Sequence, residues 1–277
     1  MMRSAGAREN LLLALLALPA MIVFAAFWLL PMARLVSVGA SGPRGPAAYL
    51  AIVTDANYFA SLVSTVTLSI GVTFATLVVA GIAGMFLQRN DFPGRAIVVS
   101  LLTFPLAFPG VVIGFMVIML AGRQGLIGTI TDALFGSKLV FAYSIAGLFA
   151  GYLYFSIPRV ILTVMAAVEK LDRALEEAAR SLGATPWQVL RDVVLPGLRP
   201  ALISAGAICF ATSMGAFGTA FTLATNINVL PITIYTEFTN YANFSIAAAL
   251  SLVLGVITWA ALAVARTLAG STVAAAA

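Results

Sequence analysis

The residue types that carry most enzyme chemistry are nearly absent from this sequence. It contains no His and a single Cys, Cys209, which lies in an apolar block. This composition excludes imidazole acid–base catalysis, a His/Cys metal cage and an internal disulfide. Cys209 is expected to pack as a small buried apolar side chain. The sequence therefore predicts no catalytic residue and no metal site.

Arg159 is the charged residue that stands out, because it falls deep inside an apolar block. It directly follows Pro158 and precedes the end of the block at Val168 by roughly 13 Å along a helix. An Arg at this depth costs several kcal/mol unless it meets water, a carbonyl or an anion. Three explanations stay open: its long stem reaches the interface, Pro158 breaks the helix and admits water, or the side chain lines a cavity and attracts an anionic substrate group.

Two further stretches are candidates for a substrate path. One is rich in small and hydroxyl residues, which suit close helix contacts or a polar lining; it includes Ser213, Met214, Phe217 and Thr219. The other holds Glu237 beside aromatic residues, where an acid could receive an organic cation. The same pattern is typical of interfacial anchors. Arg159 and Glu237 indicate opposite substrate charges, so the charge of the substrate stays open.

The elements that must position these residues are helices in lipid. Hydrophobic residues make up 62% of the 277 positions and charged residues 9%, whereas about a quarter of a soluble domain is charged. The apolar residues come in blocks that exceed the roughly 20 residues a helix needs to cross a bilayer. Six blocks are predicted as transmembrane helices: 11–33, 61–87, 97–121, 140–168, 198–224 and 244–265.

Positive charge is divided unequally between the two sides of these spans. Of the 15 Lys and Arg residues, four lie on one side and the rest on the other; the four are Arg34, Arg44, Arg123 and Lys138. The positive-inside rule assigns the richer side to the cytoplasm. This predicts a multi-pass bacterial inner (cytoplasmic) membrane protein with both termini cytoplasmic. The predicted segments are an N-terminus (1–10), the first span (11–33), a periplasmic segment (34–60), a five-span core (61–268) and a tail (269–277).

The longest cytoplasmic segment, 169–197, has the pattern of two capped helices. Asp172 is a candidate N-cap of the first helix, and Gly183 suits the left-handed position that ends it. Thr185 and Gln188 have the spacing of a capping box for the second helix. A helix–turn–helix held between two membrane spans is a rigid projection that can transmit force to a partner.

The second of these helices is predicted to be short. Trp187, Leu190 and Val194 are expected on its buried side, and Pro196 is expected to stop it.

The same segment resembles the EAA loop of the permease subunits of binding-protein-dependent ABC importers. The match consists of Glu177-Ala178-Ala179, three residues, Gly183, nine residues and then Val193-x-Leu195-Pro196. The resemblance extends over residues 58–265. It implies an all-α membrane protein with six transmembrane helices, a type I (MetI-like) ABC importer permease core and a cytoplasmic helix–turn–helix coupling loop.

The resemblance also implies partners and the residues that would contact them. The coupling helix would lie in a groove of a cytoplasmic ATPase subunit, with Glu177 facing basic or polar groups. The other residues of this contact are Ala178, Ala179, Gly183, Trp187, Leu195 and Pro196. Two ATPase subunits would hold ATP and Mg and drive alternating access, so this chain would carry no cofactor. A second permease subunit, expected to be a different chain, and a periplasmic solute-binding protein complete the expected importer; no nucleic acid partner is expected.

The solute is left open by these residues. The pattern is similar to spermidine/putrescine-type permeases, which favours a polyamine-like solute, but the acidic residue that related groups carry nearby is replaced by Ala216. A zwitterion such as an aminophosphonate or an opine, or an anion, is the alternative. An ion-coupled secondary transporter is the other class; it usually carries Asp or Glu within its spans, and the predicted spans contain none.

Overall fold

A computed structural model describes residues 15–223 and 227–269 of the chain. Its regular structure in these residues is helical, and six stretches are long and apolar enough to cross a membrane. The predicted all-α membrane fold with six transmembrane helices is therefore confirmed. The predicted N-terminus 1–10, residues 11–14 of the first span, Ala224 and most of the tail lie outside the described residues.

We number the helices in chain order. They are α1 (Leu15–Ala40), α2 (Gly45–Thr54), α3 (Ala56–Arg89), α4 (Arg95–Ala107), α5 (Gly110–Ala121), α6 (Leu126–Phe135), α7 (Ile145–Glu169), α8 (Arg173–Ser181), α9 (Pro186–Met214), α10 (Phe217–Leu223), α11 (Leu230–Thr239) and α12 (Phe244–Ala269).

The first compact unit comprises Met1–Asp55 and Ile234–Val253, as far as they are described. The Tyr49 hydroxyl donates to the Val36 carbonyl at 2.5 Å, and the Ser245 hydroxyl donates to the Gly39 carbonyl at 2.8 Å. These bonds connect α1 with α2 and with the first turn of α12. The segment 34–60, predicted to be periplasmic, is largely helical: α1 continues past Arg34 to Ala40, and α2 follows a turn at 41–44.

The second unit comprises Ala56–Thr233 and Leu254–Ala277, as far as they are described, and is built around α3, α7 and α9. Its core includes the fully buried side chains of Val72, Leu148, Val164 and Leu198. At Gly84 the helix α3 approaches α7 so closely that a Cβ would lie 3.0 Å from Val164. Small residues at such contacts allow membrane helices to pack.

The outward faces of these helices are apolar. On α3 alone, large exposed side chains include Ile70, Phe74, Ile82 and Phe86. In water this surface would be strongly unfavourable, and in lipid it is the expected one. The structure thus agrees with the composition in making hydrocarbon the solvent of most of the chain.

The predicted third span, 97–121, is wrong in its bounds. The chain has an extended break at Phe108 (φ −96°, ψ 134°) between Pro105 and Pro109, which separates α4 from α5. Neither Pro has an N–H to donate to the helix. The stretch long enough to cross a membrane is instead Gly110–Phe135, which joins α5 and α6. The Ala121 carbonyl at its internal interruption accepts from the Phe141 and Ala142 amides at 3.1 Å each.

The expectation that Pro196 stops a short helix is also wrong. Helix α9 runs from Pro186 through Pro196 to Met214. A π-helical turn at Leu190–Val194 comes just before Pro196, and the Leu195 amide bonds to the Leu190 carbonyl. This wider turn accommodates a ring that in a regular helix clashes with the carbonyl four residues earlier. The predicted fifth span, 198–224, is interrupted at Gly215 and Ala216, which separate α9 from α10.

The remaining spans differ from prediction only at their ends. Helix α3 begins at Ala56, α12 continues to Ala269, and α7 begins at Ile145 after the N-cap Ser144 rather than at residue 140. Helix α7 also continues through Pro158. The possibility that Pro158 breaks this helix is thereby removed.

Candidate functional site

A cavity of about 420 Å³ lies among α5, α7, α9 and α10 in the second unit. Helix α7 contributes Tyr152, Phe155, Ser156 and Arg159 to its wall. The other lining residues come from α5, from the end of α9 and from the start of α10: Gly110, Val111, Ala211, Thr212, Ser213, Gly215, Ala216, Gly218 and Thr219. Two stretches that sequence reasoning treated separately, Arg159 and the hydroxyl-rich run, therefore meet here.

Arg159 gives this cavity its charge. Its guanidinium carbon lies 5.7 Å from the centre of the Phe155 ring, a cation–π contact between residues one helical turn apart. Arg159 forms no ion pair with any residue of 15–223 or 227–269. No Asp, Glu or Lys occurs among the described residues that line the cavity. The wall therefore offers one positive charge without a fixed counter-charge.

The hydroxyl groups in the wall differ in how they are bonded. Thr212 donates to the Ile208 carbonyl at 2.9 Å, and Thr219 donates to the Gly110 carbonyl at 2.9 Å. Ser213 is 3% exposed, and its Oγ has no hydrogen-bond partner within the described chain. Because buried polar groups are nearly always bonded, the Ser213 hydroxyl is a donor that a bound molecule could satisfy.

The interruption after α9 is held by a hydrogen bond from α7. The hydroxyl of Tyr152 donates to the carbonyl of Ala216 at 2.6 Å. One residue earlier, a Cβ at Gly151 would lie 2.8 Å from the Thr219 methyl, so glycine is what permits α7 and α10 to touch. These two contacts fix the backbone of the cavity wall between α9 and α10.

The start of α5 meets α10 backbone to backbone. A Cβ on Gly218 would lie 3.0 Å from the Val111 nitrogen, and one on Gly110 would lie 3.1 Å from the Thr219 hydroxyl. Gly110 is the first residue of the 12-residue helix α5, after the extended Pro109. The N-terminal end of a helix carries partial positive charge, so it adds to the potential of Arg159 in the same cavity.

The predicted path residues are distributed between this cavity and other positions. Arg159, Ser213 and Thr219 line it. Met214 is fully buried beside it, and the ring of Phe217 packs against that of Phe221 with centres 5.2 Å apart; neither is a lining residue.

Glu237 belongs to the other compact unit. It is 7% exposed and accepts a hydrogen bond from the Asn243 side chain at 3.1 Å. This bond helps to hold the turn between α11 and α12, a structural use of the carboxylate.

Sequence reasoning missed Tyr152 and Ser156. A signal was available, because these residues and Arg159 recur at steps of four and three positions, which places them on one face of a helix. In an otherwise apolar span such a polar face predicts a cavity or a helix contact.

The predicted caps of the segment 169–197 are confirmed. Asp172 accepts from the Ala174 amide at 2.9 Å. Thr185 and Gln188 form both bonds of a capping box. Gly183 has φ +87°, the left-handed conformation predicted for it.

Large apolar side chains are exposed on this segment. Leu182 is 90% exposed, Trp187 66% and Leu175 59%. The prediction that Trp187 is buried in the chain is wrong. In the first turns of its helix, residues 186–194, the buried side chains are Val189 and, as predicted, Val194. Leu195, Pro196, Glu177 and Ala178 are also exposed. A surface of this kind between charged residues is typical of a site that another protein covers.

Comparison with known proteins shows what this chain is similar to. The family model described as "Binding-protein-dependent transport system inner membrane component" matches residues 76–270. The molybdenum transport system permease protein ModB of Escherichia coli K12 is 35% identical over 189 residues, 67% of this chain and 81% of that protein. The sulfate transport system permease protein CysW of Synechocystis is 32% identical over 222 residues, 78% of this chain and 79% of that protein.

Two further similarities cover more of the chain. The putative 2-aminoethylphosphonate transport system permease protein PhnU of Salmonella typhi is 28% identical over 250 residues, 88% of this chain and 84% of that protein. Among solved structures, a chain of a bacterial alginate ABC transporter in complex with its alginate-bound periplasmic protein superposes with a TM-score of 0.78 at 18% identity, covering 94% of both chains.

Proposed function

This chain belongs to the family of binding-protein-dependent transport system inner membrane components, the permease subunits of ABC importers, and we propose that it conducts a small oxyanion across the bacterial inner membrane. As a permease subunit it is not an enzyme. The observation that carries the oxyanion proposal is the unpaired Arg159 in a cavity whose described lining has no carboxylate.

The chemistry of the cavity supports an anion. Oxyanions are bound in proteins by guanidinium groups, hydroxyl and amide donors and helix N-termini. The wall presents Arg159, the partnerless Ser213 hydroxyl and the N-terminal end of α5 at Gly110. The same arrangement disfavours a polyamine, because a polycation would face Arg159 without a carboxylate to offset it. The polyamine-like solute favoured by the sequence is accordingly not supported.

The names of the relatives support the same class of solute. ModB is named for molybdenum, which dissolves in oxygenated water as an oxyanion, and CysW is named for sulfate. A tetrahedral oxyanion is small enough for a cavity of about 420 Å³. A dianion carries more charge than one guanidinium offsets, and in the proposed importer a second permease subunit supplies the rest.

A 2-aminoalkylphosphonate is the second candidate. PhnU, named for such a compound, aligns over the largest share of this chain among the relatives given above. The phosphonate group suits Arg159, but the ammonium group has no acid to meet among the described lining residues. A simple oxyanion therefore fits the cavity better.

The proposed mechanism is ATP-driven alternating access. A periplasmic solute-binding protein delivers the anion, and two ATPase subunits bind ATP and Mg and press on the segment around α8. The predicted contacts of this segment are Glu177, Ala178, Ala179, Gly183, Trp187, Leu195 and Pro196. In this proposal both termini and α8 are cytoplasmic.

Replacement of Arg159 tests the oxyanion proposal. The transporter, reconstituted with its ATPase and binding protein, is assayed for ATP-dependent uptake of radiolabelled molybdate, sulfate and spermidine. Arg159→Gln removes a charge-assisted bond, typically about 1.5–3 kcal/mol, and should lower the rate of anion uptake at limiting solute by about tenfold or more. Arg173→Gln, on the surface of α8, is the control and should transport normally.

Two results would contradict the proposal. One is undiminished anion uptake by an Arg159→Gln transporter that assembles normally. The other is uptake of spermidine, but of neither anion, by the unaltered transporter.

A further inference from the structure

Arg89 and Glu176 form an ion pair across 87 residues of sequence. Arg89 is the last residue of α3, and Glu176 lies in the first turn of α8. The guanidinium donates from Nη1 to Oε2 at 3.0 Å and from Nη2 to Oε1, so the contact is bidentate. Arg180, one turn further along α8, approaches the same carboxylate at 3.6 Å. Bidentate Arg–carboxylate pairs fix orientation as well as distance.

The burial of Glu176 is unusual for its helix. Its side chain is 8% exposed and that of Arg89 is 32% exposed. Glu176 is the buried residue of α8, whereas Leu175 on the same helix is 59% exposed. Helix α8 therefore presents its carboxylate, and not its large apolar side chains, to the rest of the chain. A charged contact therefore helps to hold α8 to the rest of the chain, beside the packing of the partly buried Ala179.

The helix at the other end of this contact leads to the cavity. Helix α3 packs along α7 with the close approach at Gly84 and Val164. Helix α7 carries Arg159 in the cavity wall, about one and a half turns from Val164. A displacement of α8 can thus be transmitted through the ion pair with Arg89 to α3, and from α3 to α7, against which it packs.

We propose that Arg89 and Glu176 are positioning residues that clamp α8 to the end of α3 and so transmit its movement to the helices around the cavity. The proposal rests on the proposed function, because it assumes that a partner ATPase moves α8. The proposal gives the two adjacent glutamates different roles. Glu176 holds α8 to its own chain, and the exposed Glu177 is available to the partner ATPase.

Single and reversed variants of the pair test the clamp. Arg89→Gln removes the bidentate partner of Glu176 and leaves it only the 3.6 Å approach of Arg180, whereas Glu176→Gln removes the carboxylate that Arg89 and Arg180 share. For each variant we expect the solute transported per ATP hydrolysed to fall about fivefold or more while ATP hydrolysis continues. The reversed pair, Arg89→Glu with Glu176→Arg, is built together with Arg180→Gln to avoid repulsion within α8. In this triple variant, the ratio of solute transported to ATP hydrolysed should lie within about twofold of the ratio measured for the transporter that carries Arg180→Gln alone.

The matched control is Arg173→Gln. Arg173 lines the same small pocket as Arg89 and Glu176 but forms no ion pair within the described residues. It should leave the coupling ratio unchanged. A transporter in which Arg173→Gln lowers the ratio as much as Arg89→Gln does would overturn the proposal, since general loss of positive charge would then explain the effect.

Hydrogen–deuterium exchange over 173–181 in the assembled transporter supplies a readout that does not depend on the solute. The single variants should exchange about tenfold faster there, and the reversed pair should regain protection. Unchanged exchange in the single variants, failure of the reversed pair to regain it, or altered exchange with an unaltered coupling ratio would each overturn the clamp. If the transporter moves spermidine instead of an oxyanion but exchange and coupling follow the pair, the clamp stands and the oxyanion proposal falls.

Discussion

Ser213 places a hydroxyl group in the cavity wall without giving it a partner among the described residues. Burying a hydroxyl without a hydrogen bond costs roughly 1–3 kcal/mol. Such a cost is tolerated where a ligand later makes the missing bond. Stability and binding should therefore respond in opposite directions when this hydroxyl is removed.

Ser213→Ala should keep or raise the thermal stability of the transporter and raise the KM for the oxyanion several-fold. Stability rises because a buried group without a hydrogen bond is removed. Affinity for the solute falls because a hydrogen-bond donor to it, worth about 1 kcal/mol, is lost. Thermal unfolding and uptake kinetics measure the two effects.

Ser69→Ala is the matched control for this substitution. Ser69 on α3 is also fully buried with a partnerless hydroxyl, but it does not line the cavity. It should affect stability in the same direction and leave KM unchanged. Equal KM values for the Ser213→Ala and unaltered transporters would remove Ser213 from the binding site.

Among the elements, α8 ends in a compact capping motif. The Ala184 amide bonds to the Ala179 carbonyl at 3.1 Å, and the Gly183 amide bonds to the Arg180 carbonyl at 2.9 Å. This is the Schellman pattern, and it requires a left-handed residue at Gly183. Space is not the constraint, because nothing lies within 4 Å of a Cβ built there.

Gly183→Ala should destabilise the end of α8 by about 1 kcal/mol, through the left-handed backbone alone. Faster hydrogen exchange over 178–184 and a lower coupling ratio are the expected results. Gly255→Ala is the control: Gly255 lies inside α12, has equal space around it and should gain roughly 0.5–1 kcal/mol from better helix propensity. The backbone explanation fails if both substitutions have the same effect on stability.

The helix caps could be predicted from the sequence, whereas the cavity and the course of α9 could not. The caps at Asp172, Gly183 and Thr185 depend on residues within five positions of one another, and all three were predictable. The cavity depends on contacts between residues as distant as Gly110 and Thr219, which no local pattern encodes. The course of α9 through Pro196 also escaped prediction, since a π-helical turn leaves no residue signature comparable to a cap.

For the whole molecule, the charge distribution predicts which surfaces face the cytoplasm. The single natural thiol, Cys209, is 2% exposed, so it contributes little background to labelling. Exposed serines on segments assigned to opposite sides are suitable reporters, since replacing them alters no charge. Ser41 follows α1 and Ser181 ends α8.

In intact inner-membrane vesicles of right-side-out orientation, a membrane-impermeant maleimide should label Ser41→Cys and spare Ser181→Cys. Solubilising the membrane should expose both. Labelling of Ser181→Cys from the outside would invert the proposed orientation and remove α8 from the reach of an ATPase.

The continuity of α9 has a mechanical consequence. The helix approaches α3 closely at Gly206, where a Cβ would lie 3.0 Å from Leu77, and this contact could serve as a fulcrum. The arm toward Trp187 is about 30 Å long and the arm toward Ser213 about 10 Å. A rigid rocking of α9 about Gly206 would convert a swing of about 6 Å at the long arm into about 2 Å at the short one. The helix would then act as a reducing lever, with a larger displacement at its cytoplasmic end in the proposed orientation and a smaller but more forceful one beside the cavity.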